Sequence, residues 1–131
     1  MNAPEQKPLD LYSAALRAIE QHHQDALTIL TDAIADITRF EALCQRLRAI
    51  HLQFEPEVCT GFGRATYWLW MNENQAAESA GEMMLALAGL GYEEKASNPS
   101  ADAYSTTERI TITGENAPEF NLIIRRRKEA V

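Results

Sequence analysis

Between Leu9 and Glu55 the chain has no glycine, no proline and no asparagine. Nothing in these residues breaks a helix or supplies the usual tight turn. Other things are scarce elsewhere. There are two cysteines, Cys44 and Cys59, in 131 residues. That excludes a disulfide framework and points to a reducing compartment. No run of about 18 apolar residues occurs, so no membrane span is expected. The opening "MNAPEQKPLDL" lacks a charged start followed by an apolar run, so no secretory signal is expected either. The expected location is the cytoplasm.

Positive charge is also in short supply. Twelve Lys and Arg stand against 19 Asp and Glu, a net charge of −7. A general nucleic-acid binder carries a basic contact face, so this balance argues against one. It suits a soluble protein, a basic protein partner or mimicry of a nucleic acid's charge. The charge is unevenly placed. Residues 56–100 hold six acids and two bases, whereas residues 101–131 hold five of each. The length fits one domain, or one domain with an extension.

What fills the stretch from Leu9 to Glu55 is a helical stripe. Tyr12, Leu16, Ile19, His23, Ala26, Leu30, Ala33, Ile37, Phe40, Cys44, Leu47, His51 and Phe54 alternate in steps of four and three residues. This is a heptad pattern held for about six repeats. Unbroken, the helix would be about 70 Å long. The alternative is a helical hairpin turning near "TILTDA", residues 28–33, where Thr28, Ile29 and Thr31 are β-branched and Thr31 or Asp32 can cap. Leu27, Ile29, Ile34, Leu43 and Ile50 flank the stripe, and so broad a face packs on more than one neighbour. The pattern predicts self-association through Leu16, Ile19, His23, Leu30, Ile37, Phe40 and Leu47. In a parallel dimer His23 and His51 would each meet a twin, and protonation near pH 6 would weaken the pair.

"IEQHHQDAL", residues 19–27, looks most like chemistry. However, His22 and His23 sit about 100° apart on a helix, so they do not form a cluster on one face. Glu20 and His23 make a Glu-x-x-His spacing known from metal sites in helical bundles, which need a second such motif and two more glutamates. No suitably placed set exists, so no metal or other cofactor is expected.

Beyond Pro56 the pattern changes. "RATYWLWM", residues 64–71, reads as a strand with Ala65, Tyr67, Leu69 and Met71 on one side and Thr66, Trp68 and Trp70 on the other. "NENQ" starts a helix capped by Asn72 or Asn74, which buries Ala76, Ala80, Met83 and Leu87 and ends at Gly89 and Gly91. "EEKASNPSADAYS", residues 93–105, reads as a polar loop. "TERITITG" and "FNLIIRRR" read as an antiparallel hairpin across "ENAPE". The expected fold is therefore α+β: residues 1–8 as a flexible start, 9–55 as a long helix or helical hairpin, and 56–131 as a βαββ domain with an antiparallel sheet.

The remaining candidates are weak as catalysts. "GFG" and "GLG" lack the context of a phosphate loop. Cys44 lies on the stripe and reads as core, and Cys59 has no neighbour that marks it as activated. Glu78 and Glu82 lie one turn apart on an open helix face, where carboxylates are normally solvated. No enzyme is predicted. The function expected is that of an acidic protein-interaction module, a homodimer presenting Trp68, Trp70, Glu73, Glu78 and Glu82 to a macromolecular partner. Inhibitors, immunity proteins and accessory factors of mobile elements share this size and charge, which is analogy alone. The competing expectation is nucleic-acid binding through Arg125, Arg126, Arg127 and Lys128, aided by stacking on the tryptophans.

Overall fold

The computed structural model describes residues 9–128. The expected flexible start, residues 1–8, lies outside the described residues. The fold is α+β, as the sequence predicts. Helix α1 spans Leu11–Asp32 and α2 spans Ile34–Ala49. Asp10 caps α1 by accepting from the backbone N–H of Ser13 at 3.0 Å and from its hydroxyl at 2.7 Å. At Ala33 the backbone departs slightly from helix, with φ −98° and ψ 7°. The hydrogen-bond ladder nevertheless runs through this point. Ala33 N–H bonds to Ile29 O at 3.1 Å, and Ile37 N–H bonds to Ala33 O at 2.8 Å.

Between the two readings of residues 9–55, the structure has the single kinked helix. A hairpin would bury one face of α1 against α2, and no residue of α1 is buried. Leu11 to Ala49 spans about 58 Å. The hydroxyls of Thr28 and Thr31 bond back to Gln24 O and Leu27 O one turn earlier, a pattern that bends helices.

The helix ends sooner than expected. Ile50 closes α2, and His51 takes the left-handed conformation at φ 68°. Leu52 N–H then bonds back to Leu47 O at 3.2 Å, so the chain reverses as in other left-handed helix ends. Histidine tolerates this conformation better than branched residues do. His51 is thus a helix stop and not a position on the stripe, which removes its expected twin contact.

Five strands follow: β1 Glu55–Cys59, β2 Thr66–Met71, β3 Glu93–Ala101, β4 Ser105–Gly114 and β5 Ala117–Arg127, with α3 at Glu73–Gly89 between β2 and β3. Their order in the sheet is β1-β2-β5-β4-β3. The sheet is mixed and not antiparallel throughout, because β2 and β5 run parallel, with Leu69 opposite Leu122. Two strands go beyond the βαββ expectation. β1 contains Pro56, where the sequence suggests a boundary, yet as an edge strand it needs no N–H on its outer side. β3 replaces the expected loop. All nine of its residues are exposed, so neither face carries the apolar alternation by which a strand is recognised.

Helices α2 and α3 cover one face of the sheet. Phe40, Leu43, Cys44 and Leu47 from α2, and Ala76, Ala80, Met83 and Leu87 from α3, share one core with Tyr67, Leu69, Met71, Ile110, Ile112, Phe120, Leu122 and Ile124. Within each strand these residues alternate, and the register pairs Leu69 with Leu122 and Ile110 with Leu122, so all lie on one face. Phe40 bridges the layers, with ring centres 5.2 Å from Tyr67 and 5.6 Å from Phe120. Asn72 and Gln75 form a reciprocal capping box that starts α3 directly after β2.

Candidate functional site

Two surfaces are left uncovered. The first is α1. Leu16, Ile19, Leu27 and Leu30 are exposed along one side of it, and Ile34 continues the line at the start of α2. The stripe read from the sequence thus has two fates. Leu16, Ile19, His23 and Leu30 lie on the projecting part, and all four are exposed. Ile37 is half-buried against the core, while Phe40 and Leu47 are buried within the chain at 3% and 0% exposure. The intramolecular sheet withdraws Phe40 and Leu47 from any contact with a second chain.

The second surface is the sheet face opposite the helices. Trp68 and Trp70 stack there, 5.5 Å apart with planes 15° off parallel. The strand register sets what surrounds them. Glu57 lies opposite Trp68 on β1, and Asn121 lies beside it on β5. Arg109 stands opposite Ile123 on the next strand, and its guanidinium lies 5.8 Å from the centre of the Trp68 ring. The Trp68 indole N–H donates to the Thr66 hydroxyl at 3.0 Å. A shallow depression of about 520 Å³ is lined by Phe62, Arg64, Thr66, Trp68, Arg109 and Asn121. Phe62 is 74% exposed at its rim. Sequence reasoning missed Phe62, Arg64 and Arg109 as members of this surface. The one available signal was parity, since Arg109 alternates with the core residue Ile110.

Glu78 and Glu82 lie on α3, on its exposed side away from Ala76, Ala80 and Met83. They are therefore across the sheet from the tryptophans, and the two groups do not form one surface. Glu73, half-buried in the first turn of α3, approaches Arg125 at 3.9 Å.

The basic run is divided. Within β5 its residues alternate faces, Arg125 opposite Thr107 and Arg126 opposite Thr106. Arg125 also bonds the Ser105 hydroxyl at 3.3 Å and comes within 4.0 Å of Asp102, and Arg126 pairs with Glu108 at 3.4 Å. Arg127 and Lys128 are exposed. The four bases do not present one continuous patch.

Neither thiol is activated. Burial pushes Cys44 up to about 11. The Cys59 thiol is also raised, chiefly because it donates to the Glu57 carboxylate. Among the described residues no group of three His, Cys, Asp or Glu is placed to hold a metal ion, and no helix is long and apolar enough to cross a membrane. Comparison with models of protein families, with curated proteins and with solved structures finds no match to this chain.

Proposed function

We propose that this protein is a non-catalytic interaction module of the cytoplasm. It acts as a homodimer and serves as an inhibitor or accessory factor by binding a macromolecular partner. The observation that carries this reading is α1: 22 residues of amphipathic helix with no buried side chain. Most helical stability in proteins comes from packing an amphipathic face and not from intrinsic propensity. A stripe of Leu16, Ile19, Leu27 and Leu30 exposed to solvent calls for a second surface. A copy of the same chain is the simplest supplier, because two-fold pairing is the commonest form of assembly. The exposed flank of α3, with Glu78 and Glu82, and the tryptophan face are the surfaces available to other molecules.

Sedimentation equilibrium tests the reading. The wild-type chain is expected to sediment as a dimer, and Leu16→Glu with Ile19→Glu as a folded monomer with an unchanged far-ultraviolet spectrum of its sheet. A wild-type chain that stays monomeric at every concentration refutes it.

A second reading is nucleic-acid binding on the sheet face, favoured by Arg64 and Arg109, which form no ion pair among the described residues, beside two tryptophans. It predicts salt-sensitive retention of single strands in filter binding. Retention that is absent at low salt removes it.

A further inference from the structure

We propose that α1 pairs antiparallel with α1 of a second copy about a two-fold axis at His23, so that Leu16 meets Leu30 and Ile19 meets Leu27 of the other chain. This pairing rests on the dimer reading and fixes its direction and register.

Helix geometry sets the line that is available. Tyr12, Leu16, Ile19, Leu27, Leu30 and Ile34 are all exposed, and His23 is exposed among them. After His23 this line parts from the heptad, because it passes through Leu27, whereas Ala26 is half-buried. Tyr12 to His23, Leu16 to Leu27, Ile19 to Leu30 and His23 to Ile34 are each eleven residues apart. Eleven residues are close to three turns, so the line runs nearly straight along the helix instead of winding round it.

The line is symmetric about its middle. Ile19 and Leu27 stand four residues to either side of His23, Leu16 and Leu30 seven, and Tyr12 and Ile34 eleven. A helix turned end for end about His23 therefore sets every apolar residue of the line level with an apolar residue of the other chain. Each contact is made twice, as an isologous interface requires. The charges beside the line accept this register. Arg17 and Glu20 follow one edge of it, together with Gln24, Thr28 and Thr31. There Glu20 falls level with the gap between Gln24 and Thr28 of the other chain, and Arg17 with the gap between Thr28 and Thr31. Asp25 and Asp32 lie on the far side of the helix, so no carboxylate meets a carboxylate.

A parallel pair meets a different surface. The hydrogen-bond ladder through Ala33 carries α2 on from α1, so two parallel helices stay side by side beyond Ile34. There the same line continues through Thr38, Glu41 and Gln45, all exposed. Parallel pairing brings Glu41 against its own twin, and like charges set face to face disfavour an interface. In the antiparallel pair α1 begins at Leu11, which falls level with residue 35 of the other chain. The contact between helices therefore closes at Ile34, where the apolar line itself ends, and Glu41 is left out of it.

Cysteine cross-linking reads the direction. A disulfide needs Cβ atoms about 4 Å apart. Antiparallel helices set residue 16 beside residue 30 and hold the two copies of residue 16 about 21 Å apart along the axis, whereas parallel helices bring those two copies together. The full chain carries Cys59→Ser, which leaves only the buried Cys44. Oxidation is run at concentrations where sedimentation shows the reduced variants to be dimers. Leu16→Cys mixed with Leu30→Cys is expected to give cross-linked dimers, His23→Cys to cross-link with itself, and Leu16→Cys alone to stay uncross-linked. Cross-linking of Leu16→Cys alone marks a parallel pair, and a dimer whose mixed variants do not cross-link is joined in another register or at another surface. Either result overturns the antiparallel pairing while the protein remains a dimer. A wild-type chain that stays monomeric overturns the dimer reading along with it.

Discussion

The ring of Phe40 stands 5.2 Å from that of Tyr67, and this contact marks where one helical stripe changes its role. Before it, from Leu16 to Leu30, the apolar positions face solvent. From Phe40 to Leu47 they face the sheet. A single periodic pattern thus serves two surfaces, one inside the chain and one free for another molecule.

Truncations along the stripe should separate the two roles. Phe40→Ala should lower the unfolding free energy by about 3–5 kcal/mol and Leu47→Ala by about 2–5 kcal/mol. Leu16→Ala and Ile19→Ala should change monomer stability by no more than about 0.5 kcal/mol while weakening association. Urea unfolding below the dissociation constant, set beside sedimentation, measures both.

Tyr67 is 4% exposed, and its hydroxyl has no hydrogen-bond partner among the described residues. Burial raises the phenol above its ordinary range, with the Asp36 charge adding to the effect. An unpaired buried hydroxyl costs stability. Tyr67→Phe should therefore raise the unfolding free energy by about 1 kcal/mol, whereas Tyr67→Ala should lower it. A clear loss of stability in Tyr67→Phe would disprove the idea.

The start of α3 depends on the Asn72 side chain, which accepts from Gln75 N–H at 3.0 Å. Asn72→Ala should cost about 1 kcal/mol, and Asn72→Asp should cost little. Gly114 is constrained differently. A methyl group there would run into the ring of Tyr92, which packs on Phe120 at 6.0 Å. Gly114→Ala should cost about 1–3 kcal/mol as the ring is displaced. Thermal unfolding of the three variants orders these effects.

Asp102 shapes the turn between β3 and β4. Its carboxylate accepts from the backbone N–H groups of Tyr104 and Ser105, both at 2.7 Å. These bonds, with help from Ser105 and Arg125, hold the carboxyl below its usual range. A depressed folded value favours the folded state above the unfolded value, near pH 4. The benefit is lost as the pH falls through the folded value. Wild-type stability should thus decline below about pH 4 more steeply than that of Asp102→Asn. Parallel curves for the two proteins would show that the turn does not depend on the charge.

The cysteines should differ in reactivity. Cys44 is 5% exposed and Cys59 is half-buried. A thiol reagent should label Cys59 in the native protein and Cys44 only on unfolding. Cys44 rises from an ordinary value of 9.0 to about 11 in the folded chain, so the unfolded chain loses its proton first as pH rises. Stability should fall across that interval, and less so in Cys44→Ala.

Much of this fold is legible in the sequence. Helical spacing without a breaker placed the long N-terminal helix. Asn72, Gly89 and Gly91 bounded α3, and the alternation in "RATYWLWM" put Tyr67 and Trp68 on opposite sides of one strand. Periodicity encodes which residues share a face, and it does so locally. What it does not encode is what covers that face. Only the tertiary structure decided that Phe40 and Leu47 meet the chain's own sheet while Leu16 and Ile19 do not, because that depends on where the sheet ends. It also decided that residues 93–101 form an edge strand, since pairing with β4 gives their backbone its hydrogen bonds whatever their side chains are. The assembly of Phe62, Arg64, Trp68 and Arg109 belongs to the same class. Strand order and register bring them together across the sheet, and no local spacing records either.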